Sequence, residues 1–371
     1  MIDHFHMAGG TETHLTHLVR NLNKERFNAS VVVFDFADNP LAKKIYESGI
    51  PIIHMQVLRY YTYNAFKKAI SLSKLIKNKH IDIVQTFHFK SDFYGAIVAK
   101  LSGVKHIISS KRDTGDLKSK WHFFLNRRVK KIFQGVIAVA NAVGEEVALM
   151  EHIPHNKITT IYNGVNLDRF SVPDEYDKNK TRKSLGLNKN DFIVGTVAWF
   201  RPEKNYNVFF KAIEKVCKSI NELRVIAVGG GQQLEYFKNY ISNIGLADRI
   251  VFTGPTDDVT RYLKVLDVAC LVPGRNEGFS NSVLEKMSMG LPIIVTDVGG
   301  NAEAVIDGFN GLVIPPDDSE ALSEAIIGLY QYPEKRKKMG LRSRQRVEEY
   351  FTIQKMVQRH EEYYEYIMNA S

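Results

Sequence analysis

Two glutamates eight residues apart could hold a ligand rich in hydroxyl groups. They bound the segment Glu277-Gly-Phe-Ser-Asn-Ser-Val-Leu-Glu285, which follows a short apolar run and opens a helical pattern closed by Gly290 and Pro292. The first N–H groups of such a helix lack intrahelical partners, and its dipole is positive there, so the helix start favours an anion. A diphosphate bound at this point would leave both carboxylates to accept hydrogen bonds from sugar hydroxyls.

A purely structural interpretation of the same residues stays open at this level. Ser282 and Glu285 have the spacing of a capping box, in which each satisfies a backbone N–H group at a helix start. Glu277 would then only complement the helix dipole.

A second segment, Phe200-Arg-Pro-Glu-Lys-Asn205, places Arg201 and Lys204 directly after the apolar run at 192–197. The carboxyl edge of a parallel sheet is the usual ligand edge, and a guanidinium with an ammonium suits a diphosphate. A solvated basic loop is the alternative.

Glycines stand in three predicted loops between a strand and a helix. The pairs or triplets are Gly9-Gly10, Gly229-Gly230-Gly231 and Gly299-Gly300. Each allows the backbone to approach a ligand closely. No G-x-G-x-x-G pattern occurs at the first turn, so the sequence does not predict an NAD site.

The elements that must position these residues are short apolar runs alternating with helical patterns. Such an order predicts parallel sheets built from right-handed βαβ units, and continuous apolar runs predict strands covered on both faces. We predict twelve strands, divided into two sheets of about six, at 30–34, 51–55, 81–86, 106–109, 135–139, 158–161, 192–197, 224–228, 250–252, 268–272, 292–296 and 312–314. Helices are predicted at 12–22, 91–102, 141–150, 207–219 and 281–289, with a charged aromatic helix over 344–368.

The polar stretch at 171–191 lacks apolar periodicity and marks the domain boundary. We predict an N-terminal Rossmann-like domain over 1–168, a linker over 169–186, a C-terminal Rossmann-like domain over 187–345 and a C-terminal helix over 346–371 that packs back on the first domain. Only Ile2–His6 precedes Gly9, so the first strand is short or begins before residue 1.

Composition excludes several classes of protein. A chain of 371 residues with 44% apolar and 25% charged residues is too long for a single binding module and too apolar for a disordered chain. Its two cysteines, Cys217 and Cys270, have no metal-ligand spacing and are predicted to be buried thiols. No apolar run approaches the ~20 residues that span a bilayer, and no signal peptide is visible.

Taken together, these segments resemble the signature of the retaining "group 1" glycosyltransferases of the GT-B fold. The resemblance rests on EGFSNSVLEKMSMGLPIIVTDVGGNAEAV (277–305), RPEKN after a strand, VGGG before a helix, the GGTE start, AVANAV (138–143) and IYNGVNLDRF (161–170). These motifs span nearly the whole chain in the family's order. The resemblance implies two Rossmann-like domains facing across a cleft, with the nucleotide-sugar held by the second and most of the acceptor by the first.

The resemblance also implies roles for particular residues. Glu277 would bind hydroxyls of the donor sugar, Glu285 those of the ribose, while Arg201 and Lys204 would neutralise the departing diphosphate in place of a metal. The remaining residues implied to contact the donor are Gly10, Gly230, Gly278, Phe279, Ser280 and Asn281.

Two further candidates lie in the first domain. Family members often carry a histidine at the end of the strand matching 81–86, a place held here by Phe87 with His88 one residue later. His88 is the candidate for that catalytic role, or the role is absent. Arg112, in the segment SSKRDTG, and Glu12 are candidate contacts to the acceptor or to phosphate, with an ordinary surface charge as the alternative for Arg112.

Charge divides unevenly along the chain. Up to residue 170 there are 24 bases and 14 acids, a net +10, whereas residues 171–371 carry 26 and 27, a net −1. The helical pattern KSKWHFFLNRRVKKIF (118–133) packs an apolar face on the sheet, and its bases would meet an anionic membrane surface. Scattered bases and the lack of a known module speak against nucleic acid.

We therefore expect a retaining, metal-independent glycosyltransferase without a cofactor, using a UDP- or GDP-sugar and a glycan or lipid-linked acceptor. It would act in the cytoplasm, free or peripheral on the inner face of the membrane, in surface polysaccharide, lipopolysaccharide or lipid-linked glycan synthesis. A nucleotide-sugar epimerase on the same fold, or a non-catalytic partner subunit, is the alternative.

Overall fold

The computed structural model describes residues 1–5, 9–57, 59–115, 120–172 and 176–370, with the side chains of residues 120, 121 and 123 outside the description. The chain divides into two compact units. Met1–Gly164 and Ile353–Ser371 form the first unit, and Val165–Thr352 forms the second.

The first unit contains six parallel strands and most of the N-terminal helices. Its strands are β1 (Val31–Val33), β2 (Ile52–His54), β3 (Ile83–Phe87), β4 (His106–Lys111), β5 (Gly135–Ala138) and β6 (Ile158–Thr160). Its helices up to residue 164 are α1 (Gly10–Asn21), α2 (Pro40–Glu47), α3 (Tyr63–Asn78), α4 (Ala96–Leu101, extending a π-helical turn at Ser91–Gly95), α5 (Lys120–Val129) and α6 (Asn141–Glu151).

These six strands form one sheet of the predicted size, but it is divided into two parts. β1 pairs only with β2, while β3, β4, β5 and β6 form a separate row, and Ile2 alone bridges β1 and β3. Directly after Ile2, the Asp3 carboxylate accepts hydrogen bonds from the backbone N–H groups of Lys90 and Ser91, at 2.6 and 2.5 Å. A single bridging residue therefore joins the two parts of the sheet.

The second unit is a doubly wound domain. Its strands are β7 (Phe192–Val197), β8 (Leu223–Val228), β9 (Ile250–Gly254), β10 (Val268–Leu271), β11 (Ile293–Thr296) and β12 (Gly311–Ile314), all parallel, in the spatial order β12-β11-β10-β7-β8-β9. Its helices are α7 (Lys178–Ser184), α8 (Tyr206–Ser219), α9 (Leu234–Asn243), α10 (Thr260–Leu263), α11 (Asn281–Ser288), α12 (Asn301–Ala304), α13 (Ser319–Gln331) and α14 (Pro333–Tyr350). This is the strand order of a Rossmann fold, so ligands are expected at the carboxyl ends of the central strands β7 and β10.

The predicted α/β class with two parallel-sheet domains is confirmed, and each predicted strand has a counterpart within two residues at either end. The apolar runs form buried strands because helices cover both faces. Cys217 and Cys270 are buried and unpaired, as predicted.

The C-terminal part of the chain differs from the prediction of one long helix. α14 ends at Tyr350, and a separate helix, α15 (Ile353–Asn369), begins after Phe351 and Thr352. α15 belongs to the first unit, where its Tyr363 and Tyr364 are buried with Leu18 of α1 and with Leu22, which follows that helix. The unit boundary therefore falls between Thr352 and Ile353 rather than at residue 346.

The predicted linker over 169–186 lies inside the second unit. α7 within it is anchored by buried Arg182, which contacts Asp267 Oδ2 at 2.7 Å and donates to the carbonyls of Asp191 and Val265. Lys178 contacts the other oxygen of Asp267 at 2.9 Å. The ion pairs of Arg182 and Lys178 therefore hold this polar segment on the second unit, although most of its other described residues are exposed.

We predict that Asp267→Ala destabilises the second unit by about 3–5 kcal/mol, because it leaves the charge of buried Arg182 without its carboxylate. Thermal or urea unfolding monitored by circular dichroism measures this loss. Glu235→Ala is the matched control, since Glu235 pairs with Lys238 at an exposed position and should cost less than about 1 kcal/mol. Equal losses in the two variants would show that Asp267 does not anchor α7.

Candidate functional site

The start of α11 lies at the carboxyl ends of the central strands of the second unit. Ser280 is the residue that precedes the helix, so Ser282 lies inside its first turn. The Ser282 hydroxyl donates to the carbonyl of Val197, the last residue of β7, at 2.5 Å. The capping-box interpretation of Ser282 and Glu285 is therefore wrong.

Lys286 supports the same contact and was not singled out from the sequence. Its side chain is fully buried, and its Nζ lies 2.6 Å from Ser282 Oγ and 3.3 Å from the Val197 carbonyl. Its position four residues after Ser282 on the helix is the only sequence signal of this role.

Lys204 and Glu277, predicted independently from two loops, lie together. The Lys204 Nζ contacts Glu277 Oε2 at 2.5 Å, and the Glu277 residue is 9% exposed. Lys204 follows β7 and Glu277 follows β10, and these strands are neighbours in the sheet. The Lys204 ammonium and the Glu277 carboxylate therefore lie side by side at the ligand edge.

Arg201 lies in the same loop after β7 but is exposed. Its guanidinium carbon lies 5.8 Å from the centre of the Trp199 ring, and no ion pair of Arg201 occurs in the described part of the chain. A guanidinium stacked on an aromatic ring keeps its N–H donors available to an anion.

The glycine loops of the second unit are tightly packed against this edge. A Cβ atom on Gly299, which has φ of 57°, would lie 1.7 Å from the Glu277 carbonyl, and Gly300 donates to the Gly278 carbonyl at 2.6 Å. A Cβ atom on Gly230 would lie 3.3 Å from the Trp199 ring. Because these glycines have no Cβ atom, the loops that carry Glu277 and Arg201 can pack closely against them.

Glu285 lies one turn further along α11. Burial raises the pKa of Glu285, and the adjacent positive charges of Lys286 and Arg169 oppose that rise. Burial also lowers the pKa of Lys286. A carboxylate held in such a place interacts strongly with a hydroxyl donor once it is ionised.

The other residues of the segment divide between packing and the ligand edge. The Phe279 side chain is buried, with its ring centre 5.2 Å from that of Phe351, so this ring packs in the interior of the second unit. Gly278, Ser280 and Asn281 complete the start of the helix.

In the first unit, α1 begins at Gly10 and carries Glu12 buried in its first turn. A Cβ atom on Gly9 would lie 2.3 Å from Glu12 Oε2, so Gly9 permits the position of that carboxylate. His4 Nε2 lies 3.5 Å from Glu12 Oε1, and the His4 ring stacks on His88 with their centres 4.9 Å apart.

His88 lies directly after β3, with φ of 69°. Phe87, which holds the family's usual histidine place, is the last residue of the strand and is buried in the core. The departure from the family pattern therefore moves the imidazole one residue beyond the strand end, next to His4.

A cavity of about 200 Å³ opens beside these residues. Its polar lining is Asp3, His4, His88, Asp92, Ser110, Lys111, Arg112, Asp113 and Asn126, and Phe89 is its aromatic wall. Arg112 Nη2 donates to Asn163 Oδ1, and burial lowers the pKa of Arg112 to about 9. Arg112 is therefore a desolvated cation rather than an ordinary surface charge.

Sequence reasoning missed the buried ion triad below this cavity. Lys111 Nζ lies 2.8 Å from Asp92 and 2.8 Å from Glu151, and Asn126 donates to Glu151 at 2.7 Å. Burial alone would lower the pKa of Lys111, but the two carboxylates raise it. The triad joins β4 to the helices on either side and fixes the neighbouring Arg112.

Three side chains have the chemistry and spacing of metal ligands. One ligand atom each of His4, Glu12 and His88 lies within 4.8 Å of the others. This cluster is in the first unit, and the expectation of metal independence stays a prediction.

The predicted basic helix corresponds to α5 and the turn after it, with Lys118 outside the described residues. Arg127 donates to the Met150 carbonyl at 2.9 Å and Lys130 to the His152 carbonyl at 2.8 Å, so both cap the end of α6. Arg128 stacks on Phe124. None of the helices in the described part of the chain combines the length and the apolar composition needed to cross a bilayer.

Comparison with known proteins gives two family matches and several similar chains. Residues 177–346 match the family described as "Glycosyl transferases group 1", and residues 8–169 match "Glycosyltransferase Family 4". The UDP-Gal:alpha-D-GlcNAc-diphosphoundecaprenol alpha-1,3-galactosyltransferase of Escherichia coli is 31% identical over 274 residues, covering 70% of this chain and 69% of the relative.

A second relative and a solved structure extend the comparison. The lipopolysaccharide core biosynthesis mannosyltransferase LpsB of Rhizobium meliloti is 32% identical over 224 residues, 58% of each chain. The crystal structure of Anabaena Alr3699/HepE in complex with UDP superposes with a TM-score of 0.87 over 98% of both chains at 20% identity, a likeness of fold.

Proposed function

Because this chain belongs to the group 1 glycosyltransferases of the GT-B fold, we propose that it transfers a sugar from a nucleoside diphosphate sugar to an acceptor hydroxyl with retention of configuration. The observation that carries the proposal is the Lys204–Glu277 pair at the start of α11, with Glu285 one turn along the helix. It supplies a cation for phosphate and two carboxylates for hydroxyls at one ligand edge.

The donor would bind with its diphosphate at the helix start, near Arg201, Lys204 and the amides of Gly278 and Ser280. Glu277 would accept hydrogen bonds from the transferred sugar and Glu285 from the ribose. A UDP- or GDP-sugar fits these contacts, and the Anabaena protein of the same fold was crystallised in complex with UDP.

The reaction would follow same-face displacement within an ion pair. The bond from the anomeric carbon to the diphosphate oxygen breaks, the acceptor oxygen bonds the same carbon, and the leaving phosphate takes the acceptor's proton. Arg201 and Lys204 stabilise the charge that develops on the diphosphate. The residues assigned to the acceptor side are Glu12, His88 and Arg112, all in the first unit.

The acceptor we propose is a glycan or a lipid-linked glycan of surface polysaccharide or lipopolysaccharide synthesis. The two relatives described above, a diphosphoundecaprenol galactosyltransferase and a lipopolysaccharide core mannosyltransferase, support this class. The net +10 of residues 1–170 would suit an anionic membrane surface, at α5 or elsewhere on the first unit.

Incubation with radiolabelled nucleotide sugars tests the proposal. Label transferred only when an acceptor is present supports it. Isomerisation of the donor without an acceptor would instead indicate an epimerase, and no conversion across UDP- and GDP-sugars would indicate a partner subunit without turnover.

We predict that Glu285→Ala weakens binding of the nucleotide sugar by roughly 10- to 150-fold, because the ribose loses a charged acceptor worth about 1.5–3 kcal/mol. Glu285→Gln keeps shape and part of the hydrogen bonding, so it should lose less. Calorimetric titration with UDP- and GDP-sugars measures both variants. Wild-type affinity in two well-folded variants would remove the ribose assignment.

The same assay has a pH dependence with a defined sign. Burial raises the pKa of Glu285, so its ionised form is lost as the pH falls through that raised value. Donor affinity should therefore decrease towards acid in the wild type, and this decrease should be smaller in Glu285→Gln.

We also predict that turnover survives chelation by EDTA, since Arg201, Lys204 and the helix start supply the positive charge at the diphosphate. Initial rates with and without EDTA measure this. Loss of turnover restored by manganese or magnesium would contradict metal independence. His88→Ala would then show whether the dependence arises at the His4, Glu12 and His88 cluster.

A further inference from the structure

The outward face of α3 combines large apolar side chains with lysines. Tyr63, Phe66 and Ile70 are 74%, 63% and 45% exposed, and Tyr61, just before the helix, is 75% exposed. Exposed apolar side chains gathered in one short segment usually mark a binding surface.

This face follows helical periodicity. Tyr63, Phe66, Lys67, Ile70, Lys74 and Lys77 recur at intervals of three and four residues and are all exposed. The opposite side is buried in the core through Ala65, Leu72 and Ile76. The exposed stripe is therefore a second face of the helix, apolar in its first half and basic in its second.

The charge around α3 has one sign. No aspartate or glutamate occurs between Glu47 and Asp82, while the segment carries six bases, Arg59, Lys67, Lys68, Lys74, Lys77 and Lys79. Neighbouring acids would otherwise neutralise these lysines, as they do for Lys238 elsewhere. The complementary partner is an extended anionic surface.

The stripe is also held rigidly. Thr62 caps the helix by accepting a hydrogen bond from the Ala65 amide at 3.2 Å, and Tyr94 donates to the Ala65 carbonyl at 2.6 Å. Tyr60, between the exposed aromatics and the core, packs its ring 5.5 Å from Phe93 and 6.4 Å from Phe89. Phe89 is the aromatic wall of the cavity that His88 and Arg112 line.

We propose that the exposed face of α3, from Tyr61 to Lys77, is the surface by which this protein docks on an anionic lipid bilayer. Tyr61, Tyr63, Phe66 and Ile70 enter the interfacial region, and the lysines contact the headgroups. The packed rings of Tyr60 and Phe89 place the cavity beside the docked surface. This proposal rests on the proposed function. It extends that function by assigning the lipid bilayer as the phase that presents the acceptor.

Co-sedimentation of the full chain with vesicles of phosphatidylglycerol and phosphatidylcholine tests the docking without any donor or turnover. We expect wild type to pellet with these anionic vesicles at low salt. It should stay in the supernatant with vesicles of pure phosphatidylcholine at high salt. Tyr63→Ser, Phe66→Ser and Ile70→Ser combined should weaken the binding by about 10-fold or more. Lys67→Gln, Lys74→Gln and Lys77→Gln combined should weaken it by roughly 100-fold at low salt, at about five-fold for each lysine.

The matched control for the apolar variant is Tyr236→Ser, Tyr332→Ser and Leu341→Ser, three side chains of similar exposure in the second unit. The matched control for the lysine variant is Lys335→Gln, Lys337→Gln and Lys338→Gln, three exposed lysines of α14 in the second unit. Both controls should bind vesicles nearly as wild type does, and circular dichroism verifies the fold of every variant.

Three results would overturn the proposal. The first is absence of wild type from the anionic pellet, and the second is binding of the α3 variants at the level of their controls. The third is conversion of a dimer to a monomer by the apolar variant, which would make this face a self-association surface. Failure of the glycosyltransferase proposal is separate, because it would appear as no sugar transfer by a protein that still binds vesicles.

Discussion

The carbonyl oxygen of Val197 is the contact on which the candidate donor site depends. It ends the central strand β7 and is bonded by two side chains of α11, Ser282 and Lys286. Those bonds fix the helix that carries Glu285 against the strand whose following loop carries Arg201 and Lys204. The chain thus uses one exposed strand end, which a parallel sheet always leaves at its carboxyl edge, to bring together segments some 80 residues apart in sequence.

In both units, burial shifts the pKa values of ionisable side chains. In the second unit it moves the pKa values of Glu285 and Lys286 towards each other, so their ionised forms depend on each other's charge. In the first unit, Lys111 keeps its charge because Asp92 and Glu151 both contact it. A buried charge without a partner would cost several kcal/mol of folding free energy. The retention of buried ionisable groups near the ligand edges therefore indicates a functional constraint rather than a gain in stability.

Most of the fold could be predicted from the sequence because its strands are short apolar runs covered on both faces. That pattern is local, so it locates β7 at 192–197 without knowledge of its neighbours. The segment at 169–186 could not be read this way, since Arg182 is anchored by Asp267, 85 residues away. A helix end caused the other error, because the break at Phe351 and Thr352 depends on tertiary contacts, whereas the predicted start of α11 at residue 281 is confirmed.

The sequence predicted which residues belong to the candidate site better than it predicted how they are arranged. Lys204 and Glu277 could be named because each follows a strand, and neighbouring parallel strands end at one edge. Lys286 could not, because a lysine on a helix is usually exposed and its burial here depends on the facing strand end. The same limit applies to His88, whose stacking on His4 follows from a backbone turn at φ of 69°.

The stacking of Arg201 on Trp199 gives this protein an optical reporter of its own. Trp199 is 45% exposed and lies against Gly230, in the loop that leaves the central strand. The chain has only one other tryptophan, Trp121, so a Trp121→Phe protein would emit from a single indole. Any molecule that draws the guanidinium away from that ring changes the polarity and quenching around it, and a fluorescence titration would follow the event without a label.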